Sequence, residues 1–465
     1  MKRRLSRDTL GILGTRAAWS VMGIVSGVIL ARWLGPHDRG VLALVLLLPN
    51  TVVTFTKLGI TQANVYYMNR ERASIDAVAS NSVILAVVSG LMASAFVWLI
   101  KDNLLANVLR DVPAWAIGLA LVRVPLLLLD NYLYGVLQAT GEFGLYNSRL
   151  LISETLRLIF VSVALIGLGY GLFAAVLIYT LIGFINIAFL VVAMRKTVRF
   201  SLRVNRELLK QQLSFGVKSY VQTVTSHLLL RVDVYFTSYF LGASSTAFYA
   251  LALHFTEIVL EIPQAVGLVL YPRLASLSEQ DVHRVTAQAC RRTLLVTAPF
   301  ALALAVLGPY VIVLWYGKPY AAAGAPLPWA ALGVIAMSLY VIITRDFTSR
   351  GKQQINIVAG LLALVSNVSL DILLIPRIGI VGGAVATFVC YFLACVLLLI
   401  FFLMESRMSL LDVLFAKPDD FRYFWDMGKQ LVTRGRQLAF APVPPPYQGG
   451  DQGEVSPRRR SRSGP

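Results

Sequence analysis

"LLLRVDVYF", Leu228 to Phe236, sets an arginine and an aspartate in the middle of an apolar run that begins near Phe215 and ends at "YFLG", Tyr239 to Gly242. A run of about 26 residues, at about 1.5 Å per residue, is long enough to cross a bilayer as a helix. A charge at that depth costs about 3 kcal/mol or more, so each one needs a partner or a task. Residues two apart on a helix point about 200° away from each other, so Arg231 and Asp233 cannot neutralise one another. Each must look to a different neighbouring helix. The stretch reads as one span, with two polar faces, inside a bundle of spans.

The rest of the chain agrees. Of 465 residues, 57% are hydrophobic and only 14% charged, with a mean hydropathy of +0.70. A soluble core of this size does not keep charge so scarce, and the composition indicates an all-α polytopic membrane protein. The three cysteines, Cys290, Cys390 and Cys395, define neither a disulfide framework nor a zinc spacing. The N-terminal "MKRRLSR" and the apolar run after it resemble a signal peptide. That run is too long, is interrupted by Arg16 and ends in no small-residue cleavage site, so it is expected to stay as the first span.

Apolar windows fall near 9–31, 40–66, 77–100, 114–137, 147–167, 171–194, 215–241, 246–271, 293–315, 325–344, 354–375 and 378–403. These predict twelve transmembrane helices. With a cytoplasmic N-terminus, the net charge of +18 sorts by side: thirty of the 42 lysines and arginines lie on cytoplasmic segments. Six lie outside: Arg32, Arg39, Lys101, Arg110, Lys318 and Arg377. This bias places both termini in the cytoplasm and explains the basic charge without nucleic acid. Outside loops of at most about 15 residues leave no room for the acceptor site of a membrane glycosyltransferase or polymerase. The expected organisation is a six-helix bundle over 1–194, a basic cytoplasmic linker over 195–214, a second six-helix bundle over 215–403 and a basic tail over 404–465. In the tail, "FRYFWDMGKQL" could form a short amphipathic helix, and the Pro/Gly-rich segment from Pro442 reads as disordered.

The halves overlay. "LGPHDRGVLALVL" from Leu34 matches "LGASSTAFYALAL" from Leu241, an offset of 207. "QATGEF" from Gln138 matches "TSRGKQ" from Thr348, and "GYGLFAAV" from Gly169 matches "GIVGGAVA" from Gly379, both at 210. Each half has an even number of spans, so the repeats are parallel and related by an axis along the membrane normal.

"ARWLGPHDRGVLALVLLLPN", "LGITQANVYYMN", "GVLQATGEF", "LLRVDVYFTSYFLGASSTAFYALA", "YPRLASL", "WYGKPYAAAG" and "GIVGGAVATFVCYFL" follow one another across the membrane part. In their order and spacing they resemble the MOP superfamily and, within it, the Wzx-type polysaccharide and oligosaccharide flippases. Lys57 departs from that pattern, which commonly has an acidic or neutral residue before "LG". The resemblance implies a V-shaped, MATE-like pair of six-helix bundles in a bacterial inner membrane. It also implies alternating-access transfer of a polyprenyl-diphosphate-linked oligosaccharide from the cytoplasmic to the outer leaflet, for surface or exopolysaccharide biosynthesis. Membrane lipids, and a polysaccharide polymerase with its export machinery, are the partners it suggests.

Among the charges inside spans, Arg16, Lys57, Arg123 and Arg231 are candidate contacts for a diphosphate, since guanidinium forks suit phosphate oxygens. The hairpin turning near Ala243 brings Glu257 level with Arg231 and puts Glu261 one turn below on the same face. Asp233, on the opposite face, is left to find a cation from Arg16, Lys57 or a bound ion. Asp233, Glu257 and Glu261 are therefore candidates for Na+ or H+ coupling, or for a structural charge network. Asp130, Glu154, Arg157 and Lys218, nearer the span ends, fit helix-to-helix pairing. No nucleophile–base pair, metal-ligand spacing or cofactor loop occurs, so the chain does not read as an enzyme. Two other functions stay open: a cation-coupled drug exporter on the same fold, and a non-transporting membrane partner of a polysaccharide assembly complex.

Overall fold

The computed structural model describes residues 2–426, except 196 and 202, together with residue 429. The side chains of residues 2–18, 20, 143, 217–219, 221–222 and 280 lie outside the described set, and those of Arg16 and Lys218 are among them. The described residues contain no strand. Their order is α1 (Lys2–Thr56), α2 (Ile60–Asn69), α3 (Ile75–Leu99), α4 (Lys101–Ala106), α5 (Ala114–Thr140), α6 (Phe143–Val161) and α7 (Leu172–Met194). Next come α8 (Arg206–Leu241), α9 (Ala243–Leu274), α10 (Glu279–Tyr316), α11 (Leu327–Ser349), α12 (Gln353–Ile378), α13 (Ile380–Ser406) and α14 (Leu410–Leu414). A π-turn at Ser162–Gly167 extends α6, and a 3-10 turn at Lys318–Gly324 succeeds α10.

Ten helical segments among the described residues are long and apolar enough to cross a membrane, where the hydropathy pattern predicts twelve. Two places account for the difference. The segment Val21–Thr56, with 36 residues, is too long for one crossing of a ~30 Å hydrocarbon core. It breaks at Gly35, whose φ of 73° and ψ of 173° are not helical. The other place is α8, whose His227, Arg231, Asp233 and hydroxyl side chains dilute its hydropathy.

The described residues up to Phe415 form one compact unit. In its first half α3 packs on α5, α5 on α7 and α1 on α6 and α5; in its second half α11 packs on α9, α10 and α13, while α12 packs on α8 and α13. Each half has its own buried apolar cluster, one centred on residues such as Leu44, Val78 and Leu128, the other on Val334, Ile342 and Leu398. The halves meet where α1 packs on α9 and α2 on α8. A side chain at Gly40 would place its Cβ 1.8 Å from the Ala243 carbonyl oxygen, and one at Gly216 would come within 2.1 Å of the Leu58 carbonyl oxygen. Only glycine permits these crossings.

The expected basic linker is shorter than its sequence span suggests. Asn205 caps α8 by accepting the Leu208 amide at 3.1 Å, so residues 206–214 already belong to the helix. Three pairs of left-handed glycines recur at the repeat offsets. Gly35 (φ 73°) stands against Gly242 (φ 81°), Gly141 (76°) against Gly351 (76°), and Gly169 (69°) against Gly379 (66°). For Gly35 and Gly242 ψ also agrees, at 173° and −175°, a region that only glycine occupies without strain.

The second unit begins at Ala416. Residues 418–426 are helical and take in residues 421–426, the first part of the proposed amphipathic stretch; the Pro/Gly-rich segment lies outside the described residues.

Candidate functional site

A cavity of about 530 Å3 lies between the halves, walled by the second part of α1, by α8 and α9, and by Asn131 of α5. Its α1 wall is a stripe at helical spacing, Arg39, Ala43, Leu46, Asn50, Thr54 and Lys57. The α8 wall is His227, Arg231 and Val234; the α9 wall is Ala250, His254 and Glu257. Three cationic side chains thus face one carboxylate.

Lys57 ends this stripe just where the helix breaks, its amide still donating to the Val53 carbonyl at 2.9 Å. α1 ends at Thr56, Leu58 and Gly59 take positive φ (46° and 68°), and α2 starts at Ile60. The single span expected over 40–66 is therefore discontinuous. Across the break the Lys57 carbonyl accepts the Ile60 amide at 3.0 Å and the Tyr132 hydroxyl at 3.3 Å. Unwound backbone in a membrane bundle is tolerated where it lines a cavity, and discontinuous helices are a recurrent way to build transport sites.

Arg231 Nη2 lies 2.7 Å from Glu257 Oε1, the partner that helical geometry assigns it. Glu261, one turn further, lines an adjoining cavity of about 290 Å3 that shares Arg39, His254 and Glu257 with the central one. His227 Nε2 is 3.1 Å from the Thr51 hydroxyl, which also accepts the Tyr235 hydroxyl at 2.9 Å.

Two expected site residues are elsewhere. Arg123 lies inside the first half, with Asp130, Arg149, Glu154 and Arg157. Asp233 does not meet Lys57; it is buried in the second half, where its Oδ2 accepts the hydroxyls of Tyr249 at 2.5 Å and Thr387 at 3.1 Å. Asp371 of α12 lies within electrostatic reach of Asp233. Both Asp371 and Asn367, one turn apart on α12, are 0% exposed. Neither oxygen of Asp371, and neither polar atom of the Asn367 amide, has a hydrogen-bond partner. Two carboxylates thus approach each other, and Asp371, with the amide one turn from it, is unmet where buried polar groups are normally satisfied. Among the described residues no group of three or more His, Cys, Asp or Glu is arranged to hold a metal ion.

The sequence alone does not single out Arg39, Asn50 and Thr54, although they repeat at helical spacing with Lys57 on one face of α1. Hydropathy puts Arg39 in an outside loop, with the helix starting after it; the break at Gly35 places it on the helix instead.

Among the described residues the chain is a helical bundle of two packed halves around a central polar cavity, a fold that solved membrane proteins share. The lipid II flippase MurJ, in an inward closed conformation, superposes with a TM-score of 0.71 at 15% identity, over 87% of this chain and 89% of that one. A multidrug resistance MATE family transporter in its inward-facing conformation gives 0.69 at 15% identity, over 84% and 94%. More specifically, the chain belongs to the polysaccharide biosynthesis protein family, whose pattern matches residues 29–325. Over 392 residues it is 23% identical to a Shigella flexneri protein described as an O-antigen transporter, covering 79% of this chain and 90% of that one. Over 178 residues it is 25% identical to a Haloferax volcanii protein described as a low-salt glycan biosynthesis flippase, Agl15, where the match spans only 37% of this chain and 38% of that protein.

Proposed function

We propose that this chain is a flippase for a polyprenyl-diphosphate-linked oligosaccharide, carrying it from the cytoplasmic to the outer leaflet of a bacterial inner membrane by alternating access. The observation that supports this most directly is the basic cavity between the halves, with Arg39, Lys57 and Arg231 facing one glutamate. A diphosphate moving through the bilayer needs cationic donors, and guanidinium forks bind phosphate oxygens bidentately. A cavity for cationic drugs would carry the opposite sign. Both termini are placed in the cytoplasm, and twelve spans are counted by splitting α1 at Gly35 and adding α8; the paired left-handed glycines favour two parallel repeats. A polysaccharide polymerase and its export machinery would act on the product.

In proteoliposomes, the purified chain should move a fluorescent lipid-linked oligosaccharide between leaflets, read as its accessibility to an impermeant quencher. Vesicles with the protein that behave like empty vesicles would leave only the scaffold reading.

Coupling is proposed at the buried Asp233, Asp371, Asn367, Thr387 and Tyr249 cluster, which would take Na+ or a proton, in place of the Glu257 and Glu261 pair. Asp371→Asn should remove the dependence of flipping on an imposed Na+ or pH gradient while leaving gradient-free exchange within about twofold. Unaltered gradient dependence in that variant would overturn the assignment.

A further inference from the structure

Within the first half, α5, α6 and α7 enclose a cavity of about 230 Å3 whose lining includes Arg123, Asp130, Arg149, Glu154, Arg157 and Tyr179. Two of its arginines are answered by carboxylates: Arg149 Nη1 lies 2.5 Å from Asp130 Oδ1, and Arg157 pairs with Glu154. Arg123 has no carboxylate partner among the described residues. Its guanidinium stands 5.7 Å from the centre of the Tyr179 ring, and that of Arg157 stands 5.1 Å from the same ring. Arg123 Nη1, Arg149 Nε and Arg157 Nε are buried without a hydrogen-bond partner, as is Glu154 Oε1, and Arg149 is only 6% exposed. Three guanidiniums against two carboxylates leave one positive charge in excess.

Arginine does not deprotonate in proteins, so this charge persists. Water could meet the open N–H groups but would leave the charge uncompensated in a membrane-spanning bundle, where an unpaired cation is costly. An oxyanion answers both needs at once. The volume lies below the ~300–1,000 Å3 typical of sites for drug-sized ligands, so the chamber suits one small acidic group and not an oligosaccharide. It is also reachable: Trp19, Arg157 and Tyr179 line both this chamber and the 290 Å3 cavity, which in turn opens on the central one through Arg39, His254 and Glu257.

We propose that this chamber is an oxyanion-binding site, distinct from the central cavity, that takes a single carboxylate or phosphate group on the Arg123 guanidinium. The ligand is either an acidic sugar of the translocated glycan or a phosphate. Binding itself does not depend on the flippase reading: a chain that flips no lipid would still be stabilised by the anion.

The purified full-length protein is unfolded thermally in detergent with glucuronate, inorganic phosphate or glucose, at an ionic strength held constant with NaCl. A ligand that binds only the folded state raises Tm progressively with concentration. Wild type should be stabilised by glucuronate, phosphate or both, and not by glucose or by chloride alone. Stronger stabilisation by glucuronate assigns the site to an acidic sugar, and stronger stabilisation by phosphate to a phosphate group. Arg123→Gln should abolish the effect. Arg123→Lys, which keeps the charge and loses the fork, should need at least tenfold more anion, and it decides the matter with the wild type if the glutamine variant does not fold. Lys101→Gln, on α4 and away from both cavities, should respond as wild type does, and Arg231→Gln, in the central cavity, should lose only what anions gain by binding there. The proposal is overturned if wild type gains nothing beyond the chloride control, if the Arg123 variants respond at wild-type concentrations, or if Arg231→Gln alone loses the response.

Discussion

Arg231 and Asp233 stand two residues apart and belong to different chemistries. Arg231 sits in the central cavity against Glu257, with both side chains 36% exposed. A pair so wet contributes about 0–1 kcal/mol to stability. The same guanidinium donating to a phosphate is worth about 1.5–3 kcal/mol, or roughly 10–100-fold in rate or affinity. Arg231→Gln should therefore lower flipping in vesicles by about that factor while leaving the melting temperature nearly unchanged. A large drop in Tm with normal flipping would make Arg231 a structural residue. Helical geometry made the Glu257 partner legible, because α8 and α9 are consecutive and joined by a tight turn. The surroundings of Asp233 were not legible: Tyr249 and Thr387 carry no charge to flag them, and no spacing along the chain shows that α12 brings Asp371 to α8.

At the scale of the element, the long apolar helices were readable from composition, while their breaks were not. Hydropathy over 40–66 is continuous, and nothing in it signals that residues 57–59 must leave the helix so that Gly59 can lie against Gly216. Ion pairs between helices were equally hidden. Where α10, α11 and α13 come together, Asp346, 0% exposed, accepts Thr286 at 2.9 Å and Arg350 Nε at 2.7 Å. Arg350 also reaches Glu405 at 2.5 Å and Glu279 at 3.3 Å, and Lys352 lies 3.0 Å from Glu405. Removing one partner from a buried pair costs about 3–5 kcal/mol. Because Glu405 still holds Arg350, Asp346→Ala should fall near the low end, about 3 kcal/mol. It should be visible as a lower Tm and lower yield of folded protein. An unchanged melting curve would mean that the remaining acids carry the network alone.

Across the whole molecule, the two halves are tied together at the end where Gly35, Gly242 and Gly317 turn. The Ser238 hydroxyl donates to the Val108 carbonyl at 2.6 Å, and the Ala243 amide donates to Asp111 Oδ2 at 2.7 Å. Arg32 donates to the carbonyls of Trp315 at 2.7 Å and Leu314 at 2.9 Å, and the Tyr320 hydroxyl to that of Ala31 at 2.9 Å. Asp111 thus faces the positive end of α9, and Arg32 the negative end of α10. At about 0.5–1.5 kcal/mol each, five such bonds give roughly 2.5–7.5 kcal/mol. That matches the ~5.5 kcal/mol that carries a two-state equilibrium from 1:99 to 99:1. In the proposed topology this is the outer end, and rocking of the halves has to break all five bonds to release substrate there. Cysteines replacing Val108 and Ser238 would sit at this contact, where Ser238 Oγ is 2.6 Å from the Val108 carbonyl oxygen, and loss of free thiol on oxidation shows whether the disulfide has formed. The native Cys290, Cys390 and Cys395 are buried and will not compete for the oxidant. Oxidised Val108→Cys/Ser238→Cys protein should bind substrate yet fail to flip it, with activity returning on reduction. Full flipping by the cross-linked protein would show that this end never opens.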